Sequence, residues 1–271
     1  MNNILYAPFL RDMCELTDNL YRLGWDERNG GNVSLIVPED EIRPYLDTAH
    51  VVRTIPAAFD ASALAGRCFL VTGTGKYMKN VSHNPAGNLG IVRVQKDGHG
   101  LDVLWGFDDG GGPTSELAAH FMSHIERLKR DPEHRVILHA HCTNLIVMTF
   151  IHSLDEREFV RTLWQMSTEC LVVFPDGVGV LPWMLCGGSG IGRATADKMK
   201  EFRMVLWAHH GILGAGRDLD EAFGLVETAE KAAEIYIKLM GRPILQTITD
   251  QQLLVLADAF GVKVKEGYLR A

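Results

Sequence analysis

Cysteine is scarce in this chain and nowhere paired for chemistry. The five, Cys14, Cys68, Cys142, Cys170 and Cys186, are odd in number and never spaced as CxxC. That excludes a disulfide framework and a cysteine-based zinc site, and fits small buried thiols in a reducing compartment. Long apolar runs are also missing; none approaches the roughly 20 residues that cross a bilayer. Positive charge is in deficit, with 27 Lys and Arg against 34 Asp and Glu, a net charge of −7. Nonspecific nucleic-acid binding needs a basic surface and is excluded, whereas a few amides and one Lys can still hold a phosphate. Met1 to Pro8 lack the basic and apolar regions of a signal peptide, so the expectation is a cytoplasmic protein without a membrane partner. There is no GxSxG, no Walker A loop (Leu70 stands where its first glycine would be) and no GxGxxG.

What is present suits one large core. The chain has 271 residues, 46% of them hydrophobic, and shows no repeat or clear linker, so a single domain over 1–271 is expected. Phe9, Met13, Leu16, Leu20 and Leu23 recur at helical spacing, closed by Gly24. Strands are predicted at 33–37, 68–71, 91–94, 101–105, 136–141, 171–174 and 204–207. Helices are predicted at 115–130, from 143, at 155–168, at 191–202, from Asp218 to about 240, and from Thr249 to just before Gly261. Residues 38–66 carry three prolines and read as a surface insertion; Gly211-Ile212-Leu213-Gly214 reads as a turn. Hairpin-like pairs among alternating helices and strands predict an α/β fold with a central mixed, mostly antiparallel sheet flanked by helices.

The most informative segment is His139-Ala140-His141, which ends the apolar run Val136-Ile137-Leu138. Alternation on a strand sends Ile137, His139 and His141 to one side, so two imidazoles can approach one ion. A lone His on a strand is usually a core residue, but two on one face carry four ring nitrogens that need partners if buried. A third imidazole is available at His209 or His210, between which spacing does not choose, and a carboxylate at Glu116. Three His and a Glu leave coordination positions open, as in a catalytic centre. A rival set, Glu116, His120 and His124, shares one helical face at i, i+4, i+8, although the two His also read as packing or surface residues. Three loops offer amides or hydroxyls to an anion. They are Asn29-Gly30-Gly31-Asn32, Thr72-Gly73-Thr74-Gly75-Lys76 and Thr114-Ser115 at a helix start.

Together these residues resemble the class II aldolase/epimerase family, zinc aldolases of sugar phosphates that share a fold with the adducin head. The resemblance runs almost end to end. It is carried by Gly24-Trp25-Asp26-Glu27-Arg28-Asn29-Gly30-Gly31-Asn32, Val71-Thr72-Gly73-Thr74-Gly75-Lys76, Pro113-Thr114-Ser115-Glu116-Leu117, His139-Ala140-His141-Cys142-Thr143-Asn144, Ser167-Thr168-Glu169-Cys170-Leu171-Val172-Val173-Phe174-Pro175-Asp176-Gly177-Val178-Gly179 and Leu206-Trp207-Ala208-His209-His210-Gly211. The fifth of these stretches, from Thr168 onward, and the 38–66 insertion set the chain apart from the shorter fuculose-phosphate aldolases and ribulose-phosphate epimerases. The resemblance implies one Zn2+ per subunit on His139, His141 and His210. Glu116 would be a fourth ligand in the resting site and the acid/base once substrate arrives. It places the substrate phosphate among Asn29, Gly31, Asn32, Thr74, Gly75 and Ser115. Thr74 stands where the family carries Ser, and His209 where it carries an aromatic. It further implies a homotetramer with active sites at subunit interfaces, to which Glu169 contributes from the neighbour. The implied reaction is cleavage of a ketose 1-phosphate through a metal-stabilised enediolate. The alternatives are a related aldolase or a 4-epimerase on another ketose phosphate, and a non-catalytic scaffold.

Overall fold

One sheet organises the chain. The computed structural model describes residues 1–270. Nine strands run β1 (Asn32–Val37), β2 (Arg53–Pro56), β3 (Cys68–Thr72), β4 (Leu89–Val94), β5 (Gly100–Gly106), β6 (Val136–Ala140), β7 (Gly179–Leu181), β8 (Met204–Trp207) and β9 (Gly211–Gly216). Their order across the sheet is β2-β5-β4-β3-β1-β6-β9-β8-β7. Every pairing is antiparallel except β7 with β8. The helices are α1 (Pro8–Leu23), α2 (Glu39–Ile42), α3 (Pro85–Asn88), α4 (Leu117–Arg130), α5 (Thr143–Ile151), α6 (Glu156–Met166), α7 (Thr168–Val173), α8 (Ser189–Met199), α9 (Leu219–Leu239) and α10 (Asp250–Phe260).

Period-2 alternation divides the core into two faces. Val33, Leu35, Val136, Leu138 and Ala140 pack with α1, α5 and α9 in the larger cluster. On the opposite face Ile36, Phe69 and Val71 meet Leu117 and Phe121 of α4, while Ile137 and Val205 meet Ile191 and Met199 of α8. The register places Asn32 opposite His139 and Ser34 opposite Ile137, so these polar positions look toward α4 and α8. Helix ends follow local chemistry. Gly24 closes α1 at φ 72°, Asp218 accepts from the Glu221 N–H at the start of α9, and Thr249 forms a capping box with Gln252 at α10.

The short strand β7 and the single-turn α3 were not predicted, and three further segments contradict the sequence reading. Leu171-Val172-Val173-Phe174 is not a strand: its first three residues belong to helix α7. Cys170, Leu171 and Phe174 are buried while Val172 and Val173 are only partly so, an i, i+1, i+4 pattern that belongs to a helix. The 38–66 insertion is not all loop, because Arg53–Pro56 forms the edge strand β2 beside β5, where Pro56 is tolerated. Gly211–Gly216 is strand β9 and not a turn. Its glycines are there for close approach: a Cβ at Gly214 would come 2.8 Å from Val226 Cγ2 and one at Gly216 would come 2.6 Å from the Ala222 nitrogen, both on α9.

Candidate active site

His139 lies on β6 and is fully buried; His141 lies just past that strand's end, its N–H bonded to the Trp25 carbonyl at 2.8 Å. His210 closes the tight turn from β8 to β9, with its N–H on the Trp207 carbonyl at 3.1 Å. The same turn settles how the adjacent imidazoles divide. His209 takes a left-handed backbone, φ 63°, and swings outward against Phe150, with ring centroids 4.2 Å apart. His210 turns inward. Each pair among His139, His141 and His210 has ring centroids 5.0 Å apart, and one nitrogen from each lies within 4.8 Å of the others. Trp207 packs against both His139 and His210 and is itself fixed by its indole N–H on Thr195 Oγ1 at 2.9 Å.

The hydrogen bonds also fix which nitrogens face inward. His139 Nδ1 donates to the Ile212 carbonyl at 3.1 Å, and His141 Nδ1 donates to both Glu27 carboxylate oxygens at 2.9 Å. In a neutral ring so held, Nε2 is the nitrogen that carries the lone pair. His139 Nε2 is buried without a hydrogen-bond partner, an unusual deficit for a folded protein. Burial, reinforced by His141 and His210, pushes the His139 pKa well below the ordinary imidazole value. Burial lowers that of His210 as well, against the opposing effect of Glu116. Nitrogens of three imidazoles gathered at one point, one of them orphaned on a ring that burial keeps neutral, are what a divalent cation requires, so the residues fit a metal.

Glu116 precedes the first turn of α4 and is 8% exposed. Its Oε2 lies 3.5 Å from His139 Nε2 and its Oε1 3.8 Å from His210 Nε2. Glycine is required on two sides of this cluster. A Cβ at Gly30 would sit 2.7 Å from the His141 ring, and one at Gly211 would sit 2.9 Å from His139 Cε1.

The three anion-binding candidates meet at the same end of the sheet. The Val33 N–H bonds Thr72 Oγ1 at 3.1 Å, Gly73 bridges to Pro113, and the Thr114 N–H bonds the Thr72 carbonyl at 3.0 Å. Asn29, Thr74, Gly75 and Ser115 are exposed there, and Gly31 has φ 69°. Asn32 behaves differently. Its side chain turns inward, with Nδ2 on Glu116 Oε2 at 2.9 Å and Oδ1 on His120 Nε2. Lys76 is tied to Asp109. His120 and His124 are wholly buried on Ser34 and form no metal group with Glu116. Glu169 stands exposed on α7 and is not part of the cluster.

One neighbour escaped the sequence reading. The exposed Cys186 brings its sulfur within 4.8 Å of a Glu116 oxygen and a His210 nitrogen. It lies in a loop without periodicity, so no spacing rule could have found it. Burial pushes the Cys14 and Cys68 thiols up to about 11 and Cys170 up to about 12, and raises Cys142 further out of reach. Those thiols are scarcely ionised at pH 8 and react slowly. Iodoacetamide is therefore expected to label Cys186 first and to block the site. Peptide mapping checks this; faster labelling of any other cysteine, or full turnover after Cys186 is labelled, would contradict it.

A mostly antiparallel sheet that gathers three imidazoles and a carboxylate at one end, beside a glycine-rich anion cradle, defines a candidate metal-dependent site for a phosphorylated ligand. The chain belongs to the Class II Aldolase and Adducin N-terminal domain family, whose profile matches residues 11–237. It is similar to rhamnulose-1-phosphate aldolase of Listeria monocytogenes, 59% identical over 268 residues and 98% of each chain. The rhamnulose-1-phosphate aldolase of Enterococcus faecalis is 58% identical, over 98% of this chain and 96% of its own. Among solved structures, a sugar-phosphate aldolase from Thermotoga maritima superposes with a TM-score of 0.74 at 28% identity, covering 87% of this chain and 97% of its own.

Proposed function

We propose that the protein is a zinc-dependent aldehyde-lyase that reversibly cleaves L-rhamnulose 1-phosphate to dihydroxyacetone phosphate and L-lactaldehyde. The observation that carries the chemistry is the unpartnered Nε2 of His139, facing His141, His210 and the Glu116 carboxylate. The substrate assignment is supported by relatives of that name at 58–59% identity over nearly the whole chain.

In this reading His139, His141, His210 and, at rest, Glu116 would hold one Zn2+ per subunit. When bound, the ion would supply a Lewis acid that favours negative charge on the substrate's oxygens. The protein's own groups do the rest. The phosphate settles among Asn29, Gly31, Thr74, Gly75 and Ser115, where amides and hydroxyls collect at a helix start. That fixes the sugar's C3–C4 bond near the imidazole cluster. Cleavage needs a proton to leave the C4 hydroxyl while the bonding pair stays with C3. The Glu116 carboxylate, only 8% exposed, takes up that proton and then delivers a proton to C3, so that none is gained or lost over the step. Glu169 stands apart from this cluster, and its part is to reach the site of a neighbouring subunit in a homotetramer. Trp183, Leu185 and Phe150, all more than 60% exposed, offer apolar surface for such an assembly. No helix among the described residues is long and apolar enough to cross a membrane. With five free cysteines, the cytoplasm is the compartment we assign.

The reading is tested by coupling release of dihydroxyacetone phosphate from L-rhamnulose 1-phosphate to a reductase, before and after chelation. Release that stops with chelator and returns with zinc is expected. No release from folded, zinc-loaded protein would overturn the substrate, and release from protein shown to be metal-free would overturn the metal.

A further inference from the structure

A continuous line of buried polar groups runs away from Glu116 into the space between the sheet and α4. Glu116 Oε2 receives Asn32 Nδ2 at 2.9 Å, Asn32 Oδ1 contacts His120 Nε2, His120 Nδ1 lies 2.8 Å from Ser34 Oγ, and Ser34 Oγ lies 2.8 Å from His124 Nε2. Ser34, His120 and His124 are wholly inaccessible and Asn32 is 7% exposed. Beyond His124 the line stops, because its Nδ1 has no partner.

The direction of every bond is forced from one end. An ionised carboxylate only accepts, so the Asn32 amide must present its NH2 to Glu116 and its oxygen to His120. His120 must then donate from Nε2, which leaves Nδ1 as a bare acceptor. Ser34 has to donate its hydroxyl hydrogen to that nitrogen, and its oxygen is free to accept from His124 Nε2. The orphan at the far end is thereby a lone pair and not an N–H, the less costly of the two to bury. Both rings must be neutral for this order. Burial drives the His120 pKa down to about 3 and that of His124 well below the ordinary value.

We infer that Asn32, His120, Ser34 and His124 form a one-way hydrogen-bond chain, every donor aimed toward Glu116, that positions this carboxylate for proton transfer. Four residues on two elements, β1 and α4, thus serve one oxygen of one side chain. Donors in series polarise each other, and in a dry interior this holds the carboxylate in place better than a single amide would. It also accounts for Asn32, which the resemblance assigns to phosphate but which the fold turns inward. None of these four is a catalytic residue; they act through Glu116, so the inference rests on the acid/base role proposed above.

Two measurements test it. Long-range proton–nitrogen spectra of the histidine-labelled protein, with and without zinc, read each ring's tautomer without any substrate. His120 and His124 are expected to be neutral and protonated at Nε2 at pH 7, with signals assigned by their loss in His120→Gln and His124→Gln. Protonation of His120 at Nδ1, or of either ring at both nitrogens, would reverse or break the chain and overturn the inference whatever reaction the protein performs. The second measurement is the split between kcat and KM. Asn32→Leu is expected to lower kcat roughly tenfold or more and Ser34→Ala roughly three- to tenfold, with KM for the sugar phosphate and zinc content little changed. Ser34 is wholly buried and bonded to His120 and His124, so a rise in KM with kcat intact in both variants would show a purely structural or phosphate-binding role. Failure of the wild-type protein to release dihydroxyacetone phosphate would sink the aldolase reading while leaving the tautomer result standing.

Discussion

Glu116→Ala is expected to keep the fold and lose turnover by about a thousandfold, within the range found for general acid–base groups. The fold survives because Glu116 sits before the first turn of α4, at the mouth of the site, and makes no side-chain cap to the helix. Its removal leaves the Asn32 Nδ2 without an acceptor, a cost of about 1–3 kcal/mol that the large core can absorb. Turnover has no substitute. No other carboxylate joins the imidazole cluster among the described residues, since Glu27 is engaged from outside by His141 Nδ1. Glu116→Gln separates the two duties of the side chain: its amide oxygen can still accept from Asn32, but it cannot carry a proton. Similar losses in Gln and Ala variants would place the whole effect on proton transfer. Circular dichroism and the coupled assay decide the matter, and near-normal turnover in either folded variant would remove Glu116 from the mechanism.

Strong local signals made much of the fold legible in the sequence. The caps at Gly24, Asp218 and Thr249 and the strands at 33–37, 68–71 and 204–207 each carry a residue type that does one job. The unread elements are those where two physical causes share one composition. Glycine at 211, 214 and 216 signals a turn by propensity, yet here it marks a strand pressed against α9 and the histidine rings. Leu171-Val172-Val173-Phe174 is apolar throughout and so carries no period, and packing decided in favour of a helix. In the site, the His139-Ala140-His141 spacing was readable because it closes a strong apolar strand signal, with His141 just past the strand's last residue. The choice of His210 over His209 was not, because it depends on a left-handed backbone at a single residue. Asn32 shows the same limit. A sequence places it in a loop of anion-binding type, and only the pairing of β1 with β6 reveals that its side chain faces α4.

His139→Ala is expected to abolish zinc binding and with it the metal's contribution to stability. The wild-type ring carries an unpartnered nitrogen in a fully buried position, so in the metal-free state it is a liability as well as a filler of space. Replacing it with Ala opens a cavity but removes the orphaned atom, and the two effects offset each other in the apoprotein. Zinc changes that balance. A ligand present at about a thousand times its Kd, binding only the native state, adds about 4 kcal/mol. For a chain of this size that shift is on the order of 10 °C in Tm. Wild-type protein should therefore melt some ten degrees higher on zinc addition, whereas His139→Ala should melt at the same temperature with or without it. His141 and His210 remain in the variant, but two imidazoles and one carboxylate make a weaker, more open site. Metal analysis after dialysis gives the companion reading, one zinc per chain for wild type and none for the variant. Unchanged zinc content in His139→Ala would contradict its place as a ligand, and the orphaned nitrogen would then need a different partner, such as a buried water.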